Sequence, residues 1–79
     1  MIQIRVKLTF PESMVTTPIL ARLVKEFDLE PNIRRADVEE HRGWIVCEID
    51  GEPASLDAGM KWLRDQGIVV DLLGDVLEG

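Results

Sequence analysis

His41 and Cys47 are the only histidine and the only cysteine in the chain, so any thiol nucleophile pair or soft metal site would have to start from them. Transition-metal sites gather three or four such ligands at defined spacing, and two do not suffice. Cys47 also shares its phase with Ile45 and Ile49, which makes it a small buried hydrophobe and not a nucleophile. The acidic residues Asp28, Glu30, Asp37, Glu39, Glu40 and Asp50 follow no calcium-loop spacing and set no pair of carboxylates on one helix face. They read as solvated surface. The glycines stand singly at turns, without the run that cradles a phosphate. No base, nucleophile and orienting group assemble, so no catalytic residue, no metal and no cofactor is expected. Recognition chemistry remains. Asn32, at the start of a strand, has an amide that both donates and accepts. Arg34 or Arg35 beside it can clamp a carboxylate. Asn32 can equally serve to shape the turn after Pro31, since asparagine tolerates such backbone.

The chain that must position these groups has 79 residues, enough for one small domain. A core of this size rarely supplies more than ~3–5 kcal/mol, and such domains often recruit a partner chain, a ligand or a cross-link. One thiol makes no internal disulfide and fits a reducing cytoplasm, the expected location, so self-association is the expected supplement. No stretch approaches the ~18–20 apolar residues of a membrane span. Ile2 to Phe10 is interrupted by Arg5 and Lys7 and is no secretory signal. The net charge of −6 argues against nucleic acid and anionic membranes as partners, because both need a cationic field.

Period-two alternation from Ile2 to Phe10 predicts a strand with one buried face, ended by Pro11. Thr17-Pro18 reads as a hydroxyl cap followed by proline at the first helical position. The helix carries Ile19, Leu20, Leu23, Val24 and Phe27 on its apolar stripe and stops near Asp28 or Leu29 before Pro31. A second strand runs from Asn32 to about Glu40. Ile33 is out of phase with Ala36 and Val38 there, which predicts a bulge at Arg34-Arg35, and the two charges suit a sheet edge. A turn at Glu40–Gly43 leads to a third strand, with Ile45, Cys47 and Ile49 on one face and Trp44, Val46 and Glu48 on the other. A second helix begins near Pro53 and turns Leu56, Met60 and Leu63 inward, with Trp62 on its flank and Gly67 as the left-handed residue after its end. Ile68 to Leu73 form the last strand. Residues 1–74 make the domain and 75–79 a short tail, frayed unless Val76 and Leu77 dock.

The order βαββαβ, with right-handed crossovers, puts both helices on one face of an antiparallel sheet. The expected class is therefore an α+β ferredoxin-like sandwich of strand order 4-1-3-2. Arg5, Lys7, Thr9, Trp44, Val46 and Glu48 fall on the face away from the helices, and a second subunit is the natural cover for a tryptophan and a valine there. Trp44, Val46 and Arg35 are the expected interface residues. Arg42 to Ile49 partly mimics the third-strand motif of RNA-recognition domains. That motif needs aromatics on both central strands, and here Val46, Arg5 and Lys7 stand instead.

At Pro31-Asn32-Ile33, and again from Gly59 to Gly74 (GMKWLRDQGIVVDLLG), the chain resembles the NIL domain, from the strand Ile2–Phe10 through Leu73. That family occurs at the C-terminus of ATPase subunits of bacterial methionine importers, as small stand-alone proteins and beside iron–sulfur ferredoxin domains. The resemblance implies an ACT-like regulatory domain that dimerises and binds methionine. It implies Asn32, Ile33 and Arg34 as ligand-binding residues, since the asparagine is the family position tied to the ligand. Arg34 replaces the leucine of the Asn-Ile-Leu signature, and the following hairpin is about two residues shorter than in typical importers. The expectation is a non-enzymatic homodimer that binds methionine or a related amino acid between subunits. The alternative is an interaction module that keeps the fold, has lost the ligand, and docks a transporter or ferredoxin-type protein.

Overall fold

Alternation of Val6 and Leu8 with Arg5, Lys7 and Thr9 places β1 (Ile2–Phe10) at the centre of a four-stranded sheet. The computed structural model describes residues 1–75, Asp75 in its backbone alone, so the docking of Val76 and Leu77 lies outside the described residues. After β1 come a 3₁₀ turn (Glu12–Met14), α1 (Ile19–Phe27), β2 (Glu30–Val38), β3 (Gly43–Gly51), α2 (Pro53–Asp65) and β4 (Val69–Asp75). The strand order is β2-β3-β1-β4 and every neighbouring pair is antiparallel. This is the ferredoxin-like arrangement, and it puts β2 at an edge.

Strands β1 and β3 pair along their whole lengths, from Ile2 opposite Gly51 to Phe10 opposite Gly43. Directly opposed residues share a face, so Ile4, Val6 and Leu8 line up with Ile49, Cys47 and Ile45. These side chains meet Ile19 and Leu23 of α1 and Leu56, Met60 and Leu63 of α2 in one core, with Leu29 and Ile68 sealing it from the connections. Leu29 is fully buried against two glycines. A Cβ on Gly59 would lie 2.7 Å from Leu29 Cδ1, and one on Gly51 would clash with Leu29 Cδ2. Where α1 meets α2, the Phe27 and Trp62 rings stand 5.7 Å apart at a tilt of 48°, a favourable geometry for an aromatic pair.

Several boundaries differ from the sequence reading. Pro18 occupies the N-cap of α1 and Thr17 makes no side-chain cap; the Thr17 carbonyl instead accepts from the Ile19 amide at 2.8 Å. The helix ends at Phe27 through Asp28, whose left-handed φ of 56° lets its N–H reach the Val24 carbonyl at 3.1 Å. Val24 is 48% exposed and does not join the buried stripe. Strand β2 starts two residues early, at Glu30, and takes in Pro31. An edge strand has one unpaired side, where a missing N–H costs nothing. The strand stops at Val38, and the Glu39 amide closes the turn onto the Arg42 carbonyl at 2.7 Å. At the other edge β4 begins after Ile68 and continues through Gly74. The bulge falls where the sequence placed it, between Ile33 and Arg35. Gly67, at φ 88°, is the left-handed residue after α2.

Candidate functional site

The face away from the helices is built from the residues between the core positions. Gln3 opposes Asp50, Arg5 opposes Glu48, Lys7 opposes Val46 and Thr9 opposes Trp44, while Asn32 of β2 stands across from Glu48 on its other side. Glu48 is the hub. Arg5 donates twice to its Oε2, from Nη2 at 2.6 Å and from Nε at 3.2 Å. Arg34 Nε approaches the other oxygen, Oε1, at 3.9 Å. The side chain of Glu48 is only 13% exposed, against 49% for Arg5 and 56% for Arg34. The Arg5 hydrogen bond, opposed by desolvation and helped by the charges of Arg34 and Arg5, holds its carboxyl below the ordinary range.

Around this hub Gln3 donates to Asp50 Oδ1 at 2.8 Å. Lys7 Nζ lies 5.0 Å from the centre of the Trp44 ring, within cation–π range. Trp44 and Val46 are both half-buried, and Arg35 opposes Val46 on this face. Five of the large exposed apolar side chains lie on the sheet's two edge strands, Ile33 and Val38 on β2 and Val69, Leu72 and Leu73 on β4.

Of the three ligand residues expected, the fold brings Asn32 and Arg34 together around Glu48. Ile33 opposes Cys47 and so points to the helix side, half-exposed beyond the core. The bulge produces this division, because it lets Ile33, Ala36 and Val38 share one face while Arg34 and Asn32 keep to the other. Cys47 is fully buried and its thiol is pushed up to about 11 by that burial. His41, on the turn, has Nδ1 2.6 Å from Glu12 Oε2 and ties the hairpin to the 3₁₀ turn. Among the described residues no group of three or more His, Cys, Asp or Glu is placed to hold a metal ion.

Sequence reasoning placed Glu48 on the open face but gave it no role. Its signal is its register opposite both Arg5 and Asn32, which becomes visible once the bulge fixes the phase of β2. A second feature passed over in the sequence is a hollow of about 230 Å³ on the helix side, between Phe10, Met14, Leu20, Val38 and Ile45. It is apolar and lies at the opposite end of β3 from Glu48.

Fold and face together define a ferredoxin-like α+β domain whose open sheet face carries a cluster of charged side chains around Glu48. A family model described as the NIL domain matches residues 4–71. The methionine import ATP-binding protein MetN 1 of Paraburkholderia xenovorans is 32% identical over 74 residues, which cover 89% of this chain and 22% of that protein. The MetN protein of Ralstonia nicotianae is 31% identical over 75 residues, 90% of this chain and 21% of its own length. The solved C-terminal domain of an ABC transporter ATP-binding protein from Enterococcus faecalis has the same fold, with a TM-score of 0.78 at 21% identity over 92% of this chain and 86% of that one. The chain thus belongs to the NIL domain family. It spans about a fifth of the length of the curated relatives it matches. No helix among the described residues is long and apolar enough to cross a membrane.

Proposed function

We propose that residues 1–74 form a non-enzymatic regulatory domain, with 75–79 as a tail, that binds methionine or a related amino acid at the interface of a cytoplasmic homodimer. The observation that carries this reading is the placement of Asn32, at the NIL signature position, beside a hub of one carboxylate and two guanidinium groups. Kinship with methionine import ATPases supports methionine as the ligand and such a transporter as the system regulated. An amide next to fixed charges of both signs can meet the ammonium and carboxylate of an amino acid at once. Arg34 supplies the clamp, whereas Ile33 turns to the helix side and stays outside the site. Trp44, Val46 and Arg35 form the surface that the second copy covers.

Titration calorimetry with a panel of amino acids tests this directly. A heat of binding and a raised melting temperature with methionine are expected. No heat and no melting shift at millimolar ligand would reject the sensing role.

A second reading has its own observation. Arg34 already leans on Glu48, and arginine stands where the signature has leucine. A domain that has lost its ligand would use this face to dock a transporter or ferredoxin-type protein. Asn32→Ala would then leave a partner pull-down unchanged while Trp44→Ala weakens it, and the reverse pattern would defeat this reading.

A further inference from the structure

We infer that Glu48 is the group that receives the ligand's ammonium, so that the open face selects α-amino acids with a free amino group. This rests on the sensing role above and assigns a residue to it. Both Arg5 nitrogens donate to Oε2 alone. Oε1 accepts no hydrogen bond from the described residues, and Arg34 at 3.9 Å is beyond hydrogen-bond reach. Glu48 is nonetheless not among the buried side chains with an unpartnered oxygen, so Oε1 is open to solvent. One oxygen is therefore anchored and the other is free, on a side chain only 13% exposed.

The neighbours complete a zwitterion site. Asn32 stands directly across the ladder from Glu48, and Arg34 at the bulge is close enough to Oε1 to lie beside whatever occupies it. An ammonium at Oε1 would displace the loose contact with Arg34 and free that guanidinium for the carboxylate on the same α-carbon. The bidentate Arg5 contact keeps Glu48 ionised and ready. Of the other carboxylates in register on this face, Asp50 is engaged by Gln3 at 2.8 Å and lies two residues further along β3, Glu30 opposes Asp50, Asp37 opposes Trp44 and Asp71 opposes Lys7.

The experiment compares L-methionine, methioninamide and N-acetyl-L-methionine in calorimetric titrations of the full chain. Methioninamide keeps the ammonium, and N-acetylation removes it. N-acetylmethionine should bind roughly tenfold or more weakly than methionine, as the loss of a charge-assisted hydrogen bond implies. E48Q should lose affinity for methionine by a similar factor, with its fold checked by an unchanged circular dichroism spectrum, and E48D should recover part of the loss. D50N should bind like the parent chain. Equal binding of the acetylated ligand, or equal losses in E48Q and D50N, would overturn the assignment of Glu48 and leave the sensing role standing. Absence of binding by any of the three ligands would remove the sensing role and this assignment with it.

Discussion

On the helix side of the sheet, Val6, Leu8, Ile45, Cys47 and Ile49 are no more than 5% exposed and belong to one apolar cluster with residues of α1, α2 and Leu29. On the other side the intervening residues of the same two strands are Gln3, Arg5, Lys7, Thr9, Trp44, Val46, Glu48 and Asp50, joined by the Arg5–Glu48 ion pair, the Gln3–Asp50 hydrogen bond and the stacking of Lys7 on Trp44. The two surfaces share a backbone and differ by one residue of phase. Cohesion is concentrated on the first, because apolar burial scales with area removed from water, whereas exposed ion pairs contribute little. The second is consequently free to carry recognition chemistry without endangering the fold.

Leu29→Ala tests this division with the largest expected effect. Its side chain is wholly buried and fills the notch formed by Gly51 and Gly59. The loss should be about 2–5 kcal/mol in urea unfolding, a large share of the stability of a domain this small. A loss below about 1 kcal/mol would mean that the core does not depend on this plug. Gly59→Ala should cost about 1 kcal/mol, because overpacking against Leu29 outweighs the helix propensity gained. In the Leu29→Ala background the same change should turn stabilising, since the atom it would strike is gone. Additive effects in that double-mutant cycle would contradict the close packing.

The element order and the two faces of β1 and β3 were legible in the sequence because period two survives any small shift in strand ends. The ends themselves were less legible. Pro31 reads as a terminator unless the strand is known to have a free side, and Val24 reads as core because the apolar period alone does not set how wide a stripe of the helix is covered. The bulge could be inferred from the broken phase of Ile33 against Ala36 and Val38. Its consequence for the site could not, because phase alone does not say which of Ile33 and Arg34 turns toward the helices. Hence Asn32, Ile33 and Arg34 were expected together as ligand residues although Ile33 faces the other way from the other two, and Glu48 was left without a role.

Cys47 offers a milder probe of the buried face. Its thiol is raised from 9.0 to about 11 by burial, so the neutral form is the one the fold accepts. A folded value above the unfolded one means that this contribution is intact below pH 9 and is lost as pH rises towards 11. Near pH 10 the loss should be about 1 kcal/mol, and Cys47→Ala or Cys47→Val should flatten that slope. Alkylation of the native chain at neutral pH should be slow compared with the urea-unfolded chain. Rapid native labelling would place the thiol at the surface and undo the contrast between the faces.

The smallest expected effect belongs to the open face. Arg5 lowers the Glu48 carboxyl from its ordinary 4.5 by hydrogen bonding to it. A depressed folded value means stability that is present above the ordinary one and fades as the pH falls through the lowered one. Arg5→Ala should therefore be less stable than the parent at pH 7 by less than either glycine or leucine change costs. The gap should narrow below pH 4.5, and added salt should shrink it at neutral pH because one partner is half-exposed. Urea midpoints across pH 3–7, at low and high salt, measure it. A penalty comparable to that of Leu29→Ala, or one indifferent to pH, would mean that the charged face holds the sheet together as strongly as the apolar one. The freedom to bind at Glu48 would then carry a structural cost.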